Sequence, residues 1–179
     1  MGQYFRSDKR IFQPGQVIRT AGHFIEMHPD AGKRTEELLE AARPEHKPKR
    51  GRSLMLFESE EEARKFCARM SGGHLYSVEA TDAKTQHRGD MALVNHIAAL
   101  VEAGTDVPAH LPTDYWNGVA TPEPIIEVLL ESAVVEADLN YTQEERDAFI
   151  RALYQIKPKP YAVIDDDDDW PLFVAGPAD

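Results

Sequence analysis

Glu127 is the residue least expected where it stands, inside the apolar run Ile125-Ile126-Glu127-Val128-Leu129-Leu130. A carboxylate among five large aliphatics belongs either on the wet face of an edge strand or in a cleft where it does chemistry. Arg6, near the end of a first strand that begins at Gln3, could close a structural salt bridge or hold an anion. Ser59 stands where an apolar strand meets a helix. It could simply cap that helix, or join the unpaired helix amides in binding a ligand. Asp90 precedes the apolar segment Met91 to Ile97 and fits a helix N-cap, which alone accounts for an aspartate there. A fifth candidate is the basic loop Arg43 to Arg52, read as solvated or as offering Lys47, Lys49, Arg50 or Arg52 to a phosphate.

The elements that position these groups follow from apolar spacing. Leu54-Met55-Leu56-Phe57 is a short buried strand, and Ala63, Phe66 and Cys67 then recur at helical spacing, with Ser59 and Glu62 as a capping box. Gly72-Gly73 ends that helix, and His74 to Ala80 alternates as a strand buried through Leu75, Tyr76 and Val78. Pro14-Gly15 turns the chain between two apolar patches, and Thr35 to Ala42 is a short helix that ends before Pro44. Thr81 to Gly89 and Val107 to Pro124 read as loops, the second carrying Tyr115 and Trp116. A helix runs from Met91 to Ala103, strands cover Ile125 to Leu130 and Ala133 to Ala137, and a capped helix spans Thr142 to Ile156.

Composition bounds the class. The 179 residues suit one domain, expected over 1–156, followed by an acidic tail over 157–179 in which Asp165 to Asp169 cannot pack together. The net charge of -11 opposes long-range attraction to nucleic acid or an anionic membrane. The first ten residues lack the apolar stretch of a signal peptide, so a cytoplasmic source is expected, with delivery to another cell by a specialised route also open. Cys67 is the single cysteine and lies on the apolar side of its helix, which points to packing. The seven histidines show no metal-ligand spacing, so no metal site is expected.

Five stretches in order, Phe5-Arg6, Pro14-Gly15-Gln16-Val17-Ile18, Leu56-Phe57-Glu58-Ser59 with Ala63 and Phe66, Leu75-Tyr76-Ser77-Val78-Glu79, and Ile126-Glu127-Val128-Leu129-Leu130, resemble the ADP-ribosyltransferase superfamily. The small bacterial branch related to rifamycin-modifying enzymes is the most similar, over roughly residues 4 to 137. The resemblance implies an α+β fold with a split β-sheet core and flanking helices. It implies NAD as co-substrate, with ADP-ribose passed to an unknown acceptor, be it a small molecule, a nucleic-acid base or a protein. Arg6 then matches the residue that holds the NAD phosphates or ribose, Phe57 the aromatic that stacks on nicotinamide, and Ser59 the residue that steadies the ribose pocket. Tyr4 joins them on the cofactor side.

Glu127 matches the catalytic acid, with Asp90 as the rival. Cleaving the nicotinamide bond builds positive charge on the ribose, which a carboxylate stabilises and an arginine fork complements from the diphosphate. Ile125 stands where arginine-modifying members carry Glu or Gln, which points away from protein arginine as acceptor. A toxin, effector or defence role, with an antitoxin or immunity partner, follows by analogy. A non-catalytic phosphorylated-ligand or NAD-binding module, and an NAD hydrolase or RNA phosphotransferase, are the alternatives on the same fold. The superfamily assignment requires Arg6, Ser59 and Glu127 to line one cleft.

Overall fold

Two-residue alternation in the apolar runs gives the chain its sheet. The computed structural model describes residues 3–20, 22, 29–70, 72–81 and 87–154, and the expected acidic tail lies outside them. Among the described residues seven strands form one antiparallel sheet: β1 (Gln3–Asp8), β2 (Val17–Arg19), β3 (Leu54–Phe57), β4 (His74–Ala80), β5 (His87–Asp90), β6 (Ile126–Leu130) and β7 (Ser132–Asp138). Their order is β2-β7-β4-β1-β3-β6-β5. With the helices α1 (Asp30–Ala41), α2 (Glu60–Arg69), α3 (Met91–Glu102), α4 (His110–Asn117) and α5 (Gln143–Tyr154), the fold is α+β, the class that the resemblance implies.

Alternate side chains divide the core. One face carries Leu54, Leu56, Tyr76, Val78, Val128 and Leu130 in a single apolar cluster with Ile18, Ala133 and Val135. The residues between them, Phe5, Phe57, Leu75 and Leu129, face the helices and pack with Ala63, Cys67, Met91 and Tyr115. A fully buried leucine contributes roughly 2 kcal/mol, against roughly 0–1 for an exposed ion pair such as Arg34–Glu37. Apolar packing therefore outweighs the exposed ion pairs in docking the helices, and Cys67 is part of it.

The sheet has a seam. β1 meets β4 along six registered pairs but meets β3 at only one, Phe5 opposite Phe57. Where the ladder opens, the Arg6 guanidinium bridges it by donating to the Met55 carbonyl at 2.9 Å.

Local chemistry explains the helix ends. Ser59 accepts from the Glu62 amide at 3.4 Å, but the Glu62 carboxylate turns to Lys65 at 2.6 Å, so only half of the expected capping box forms. Thr142 and Glu145 make the complete box at α5. α1 starts five residues before the expected Thr35, because Asp30 to Arg34 form a polar first turn that apolar spacing does not reveal. Two expected loops are in fact regular. The end of Thr81–Gly89 is β5, and the middle of Val107–Pro124 is α4, whose Tyr115 and Trp116 are buried. Gly89 makes that packing possible: a Cβ there would lie 2.3 Å from the Tyr115 ring.

Asp8 ties off the end of β1. Its Oδ2 accepts from Arg10 at 2.8 Å and from Arg6 at 2.9 Å. Burial pushes the Asp8 carboxyl up, but the Arg10 hydrogen bond and the Arg6 charge outweigh it, leaving it at about 2 against an ordinary 3.8. A carboxylate depressed on folding adds stability above its unfolded value and loses it as pH falls through the folded one. Chemical denaturation across pH should therefore show about 2 kcal/mol vanishing between pH ~4 and pH ~2. Asp8→Asn should lack that part of the profile and lose a similar amount at pH 7.

Candidate functional site

A charge inside an apolar strand needs a countercharge inside the protein, and Arg50 provides it. The 3₁₀ turn Arg50–Arg52 immediately precedes β3 and directs the Arg50 side chain inward, where it is buried. Its Nε donates to Glu127 Oε1 at 3.1 Å and its Nη2 to Oε2 at 3.2 Å, a two-pronged fork. The Tyr115 hydroxyl donates to Oε1 at 2.7 Å, and Arg50 Nη1 donates to Glu36 on α1. Glu127 is 0% exposed. It is neither on a wet edge nor in a cleft, and Arg50 is not the loop contact for phosphate that the basic stretch suggested.

The electrostatics of this cage are lopsided, since one guanidinium faces two carboxylates. Burial opposes the Arg50 charge, yet Glu127 and Glu36 outweigh it and hold the guanidinium firmly protonated. Burial and then the Glu127 charge push the Tyr115 hydroxyl well up, which keeps it a donor. Burial also raises the Glu36 carboxyl; Arg50 opposes this, while Glu127 and Glu40 add to it. His87 closes the side of the cage, its ring 4.6 Å from that of Trp116 and its Nδ1 3.4 Å from Lys47 Nζ. Burial, then the charges of Lys47 and Arg50, depress it to about 4, so it is neutral at pH 7 and brings no further charge.

The other expected site residues lie elsewhere. Arg6 is opposite Tyr76 in register, whereas Phe5, Phe57 and Glu127 are linked by direct register on the helix-covered face. Arg6 and Glu127 therefore project from opposite faces of the sheet, and all three Arg6 nitrogens serve Asp8 and Met55. Tyr4 is half-buried on the Arg6 face against the apolar cluster. Asp90 caps α3 and anchors the segment before β6. Its Oδ1 accepts from the Ala92 and Ile125 amides at 2.9 Å, and its Oδ2 from the Thr121 amide and hydroxyl at 2.8 and 2.7 Å. Burial raises the Asp90 carboxyl, but these bonds outweigh it and leave it lowered. Arg6, Ser59 and Glu127 do not line one cleft.

Phe57 does face a cavity. It is 5% exposed, its ring centroid 5.3 Å from that of Phe66, and together with Met91 and Ile125 it forms the apolar lining of a cavity of about 410 Å³ between α2 and α3. Lys65, Arg69, Asn95, Glu62 and Glu123 supply the polar lining. Glu127, opposite Phe57 in register, does not line it. Among the described residues no group of three or more His, Cys, Asp or Glu is placed to hold a metal ion, and no helix is long and apolar enough to cross a membrane. No family model matches the chain, and comparison with curated proteins returns no relative.

Glu36 gives a pH test of the cage. A carboxyl raised on folding contributes most below its unfolded value, and that contribution is lost as pH rises through the folded one. Wild-type stability should therefore decline as pH rises above 4.5, whereas Glu36→Gln, uncharged throughout, should flatten the decline. At pH 7 the variant should be at least as stable as wild type. A loss there of more than about 1 kcal/mol would mean that the charged carboxylate is required by Arg50.

Proposed function

We propose that the chain is a non-catalytic binding module on this α+β fold, taking a phosphorylated ligand of the NAD class in the Phe57 cavity. The observation that carries this is the state of Glu127. It has no exposed surface, and both of its oxygens are held by Arg50 and Tyr115. A carboxylate that must meet developing charge on a ribose has to touch the sugar, and its effect depends on preorganised contact with the reacting atoms. Here the positive charge it meets is the guanidinium. Phe57 keeps the position that the resemblance gives to the ring-stacking residue, and it does so at a cavity with two cations on its rim.

ADP-ribosyl transfer is the second reading, favoured by the direct register of Phe57 with Glu127 and by the seam between β1 and β3. It would need Glu127 to leave Arg50 for the cavity, with NAD as co-substrate. The acceptor, and any delivery as a toxin with an immunity partner, would belong to that reading.

Incubation with NAD while following free nicotinamide, alongside calorimetric titration, separates the two. The module should bind NAD and release no nicotinamide above the protein-free rate. Release by wild type that collapses in Glu127→Gln, with the circular dichroism unchanged, would restore the transferase. Absence of binding to NAD and to simpler phosphorylated nucleotides would remove the module.

A further inference from the structure

The polar lining of the Phe57 cavity divides into a closed pair and three open groups. Lys65 is spent on Glu62 at 2.6 Å and Glu61 at 2.9 Å. Arg69 and Glu123 are exposed and Asn95 is half-buried, and none of the three has a hydrogen-bond or ion-pair partner among the described residues. They come from three elements: the last turn of α2, the second turn of α3 and the segment entering β6. Around the cavity they offer three different chemistries. A guanidinium matches a phosphate by a two-pronged fork. A carboxylate accepts from the neighbouring hydroxyls of a ribose. A carboxamide presents a donor beside an acceptor, as the edge of a base requires.

From this juxtaposition we infer that the cavity is a site for a ribonucleoside monophosphate, with Arg69 on the phosphate, Glu123 on the ribose hydroxyls and Asn95 on the base edge. The inference rests on the module reading above and makes it more specific. A volume of about 410 Å³ is near the lower end of the roughly 300–1,000 Å³ found for small-ligand pockets, which suits one nucleotide. A dinucleotide would enter by one half. Cations and carboxylates balance across the lining, so selectivity for the phosphate falls to Arg69, the lining cation without a partner among the described residues.

Calorimetry of the full chain with AMP, adenosine and 2′-deoxy-AMP tests this. AMP should bind about tenfold more tightly than adenosine and than its deoxy analogue, the scale of one charge-assisted hydrogen bond in each case. Arg69→Gln should abolish the preference for AMP over adenosine while leaving adenosine affinity unchanged. Glu123→Gln should abolish the preference for ribose over deoxyribose. Both positions are exposed, so the fold should survive either change, which circular dichroism checks. NAD binding without AMP binding, or preferences that survive both substitutions, would overturn the inference and leave the module standing. Nicotinamide release that depends on Glu127 would instead overturn the module, and AMP, which carries no nicotinamide, cannot produce that signal.

Discussion

The ion pair between Arg50 and Glu127 is the constraint on which the rest of the helix-covered face is arranged. A carboxylate on a central stretch of β6 cannot stay charged in apolar surroundings without a partner, and removing one member of such a pair costs roughly 3–5 kcal/mol. Arg50 reaches it from a sequence distance of 77 residues, which fixes the 3₁₀ turn before β3. Tyr115 then needs the room that Gly89 leaves on β5, and Glu36 draws α1 onto the same guanidinium. The Trp116 indole completes the layer by donating to the Leu39 carbonyl of α1 at 2.6 Å. Helices and strands far apart in the chain thus share one buried charge centre.

That arrangement separates the groups a sugar-cleaving site would need together. The acid is sealed inside the cage, the first-strand arginine is spent on the seam and on Asp8 across the sheet, and the rival aspartate is saturated by four donors around α3. What remains open to a ligand is the aromatic position, Phe57, with side chains on α2, α3 and the segment entering β6 around it. The proposed binding role rests on that separation.

Much of the architecture was legible in the sequence because it is written locally. β3, β4, β6 and β7 follow from apolar runs and alternation, the Ser59, Asp90 and Thr142 caps from residue type and position, and the packing of Cys67 from helical spacing. β5 was hidden because His87-Arg88-Gly89-Asp90 has no large apolar side chain and is a strand only through its ladder to β6. α4 was hidden because Pro112, Asp114 and Asn117 resemble loop chemistry, and only tertiary packing makes Tyr115 and Trp116 its core face. Glu127 stood out at once, but its partner did not. A lone acid in an apolar run implies a cation somewhere, and nothing local distinguishes Arg50 from its basic neighbours until the fold brings β3 beside β6.

The most direct test is a double-mutant cycle on Arg50 and Glu127, measured by urea denaturation in a Glu36→Gln background so that one carboxylate faces one guanidinium. If Glu127 serves the fold, Arg50→Met and Glu127→Leu should each cost roughly 3–5 kcal/mol, and the double variant should cost no more than either single change. If instead Glu127→Leu leaves stability within about 0.5 kcal/mol of its background, the carboxylate is not held by Arg50 and the structural role assigned to it is wrong.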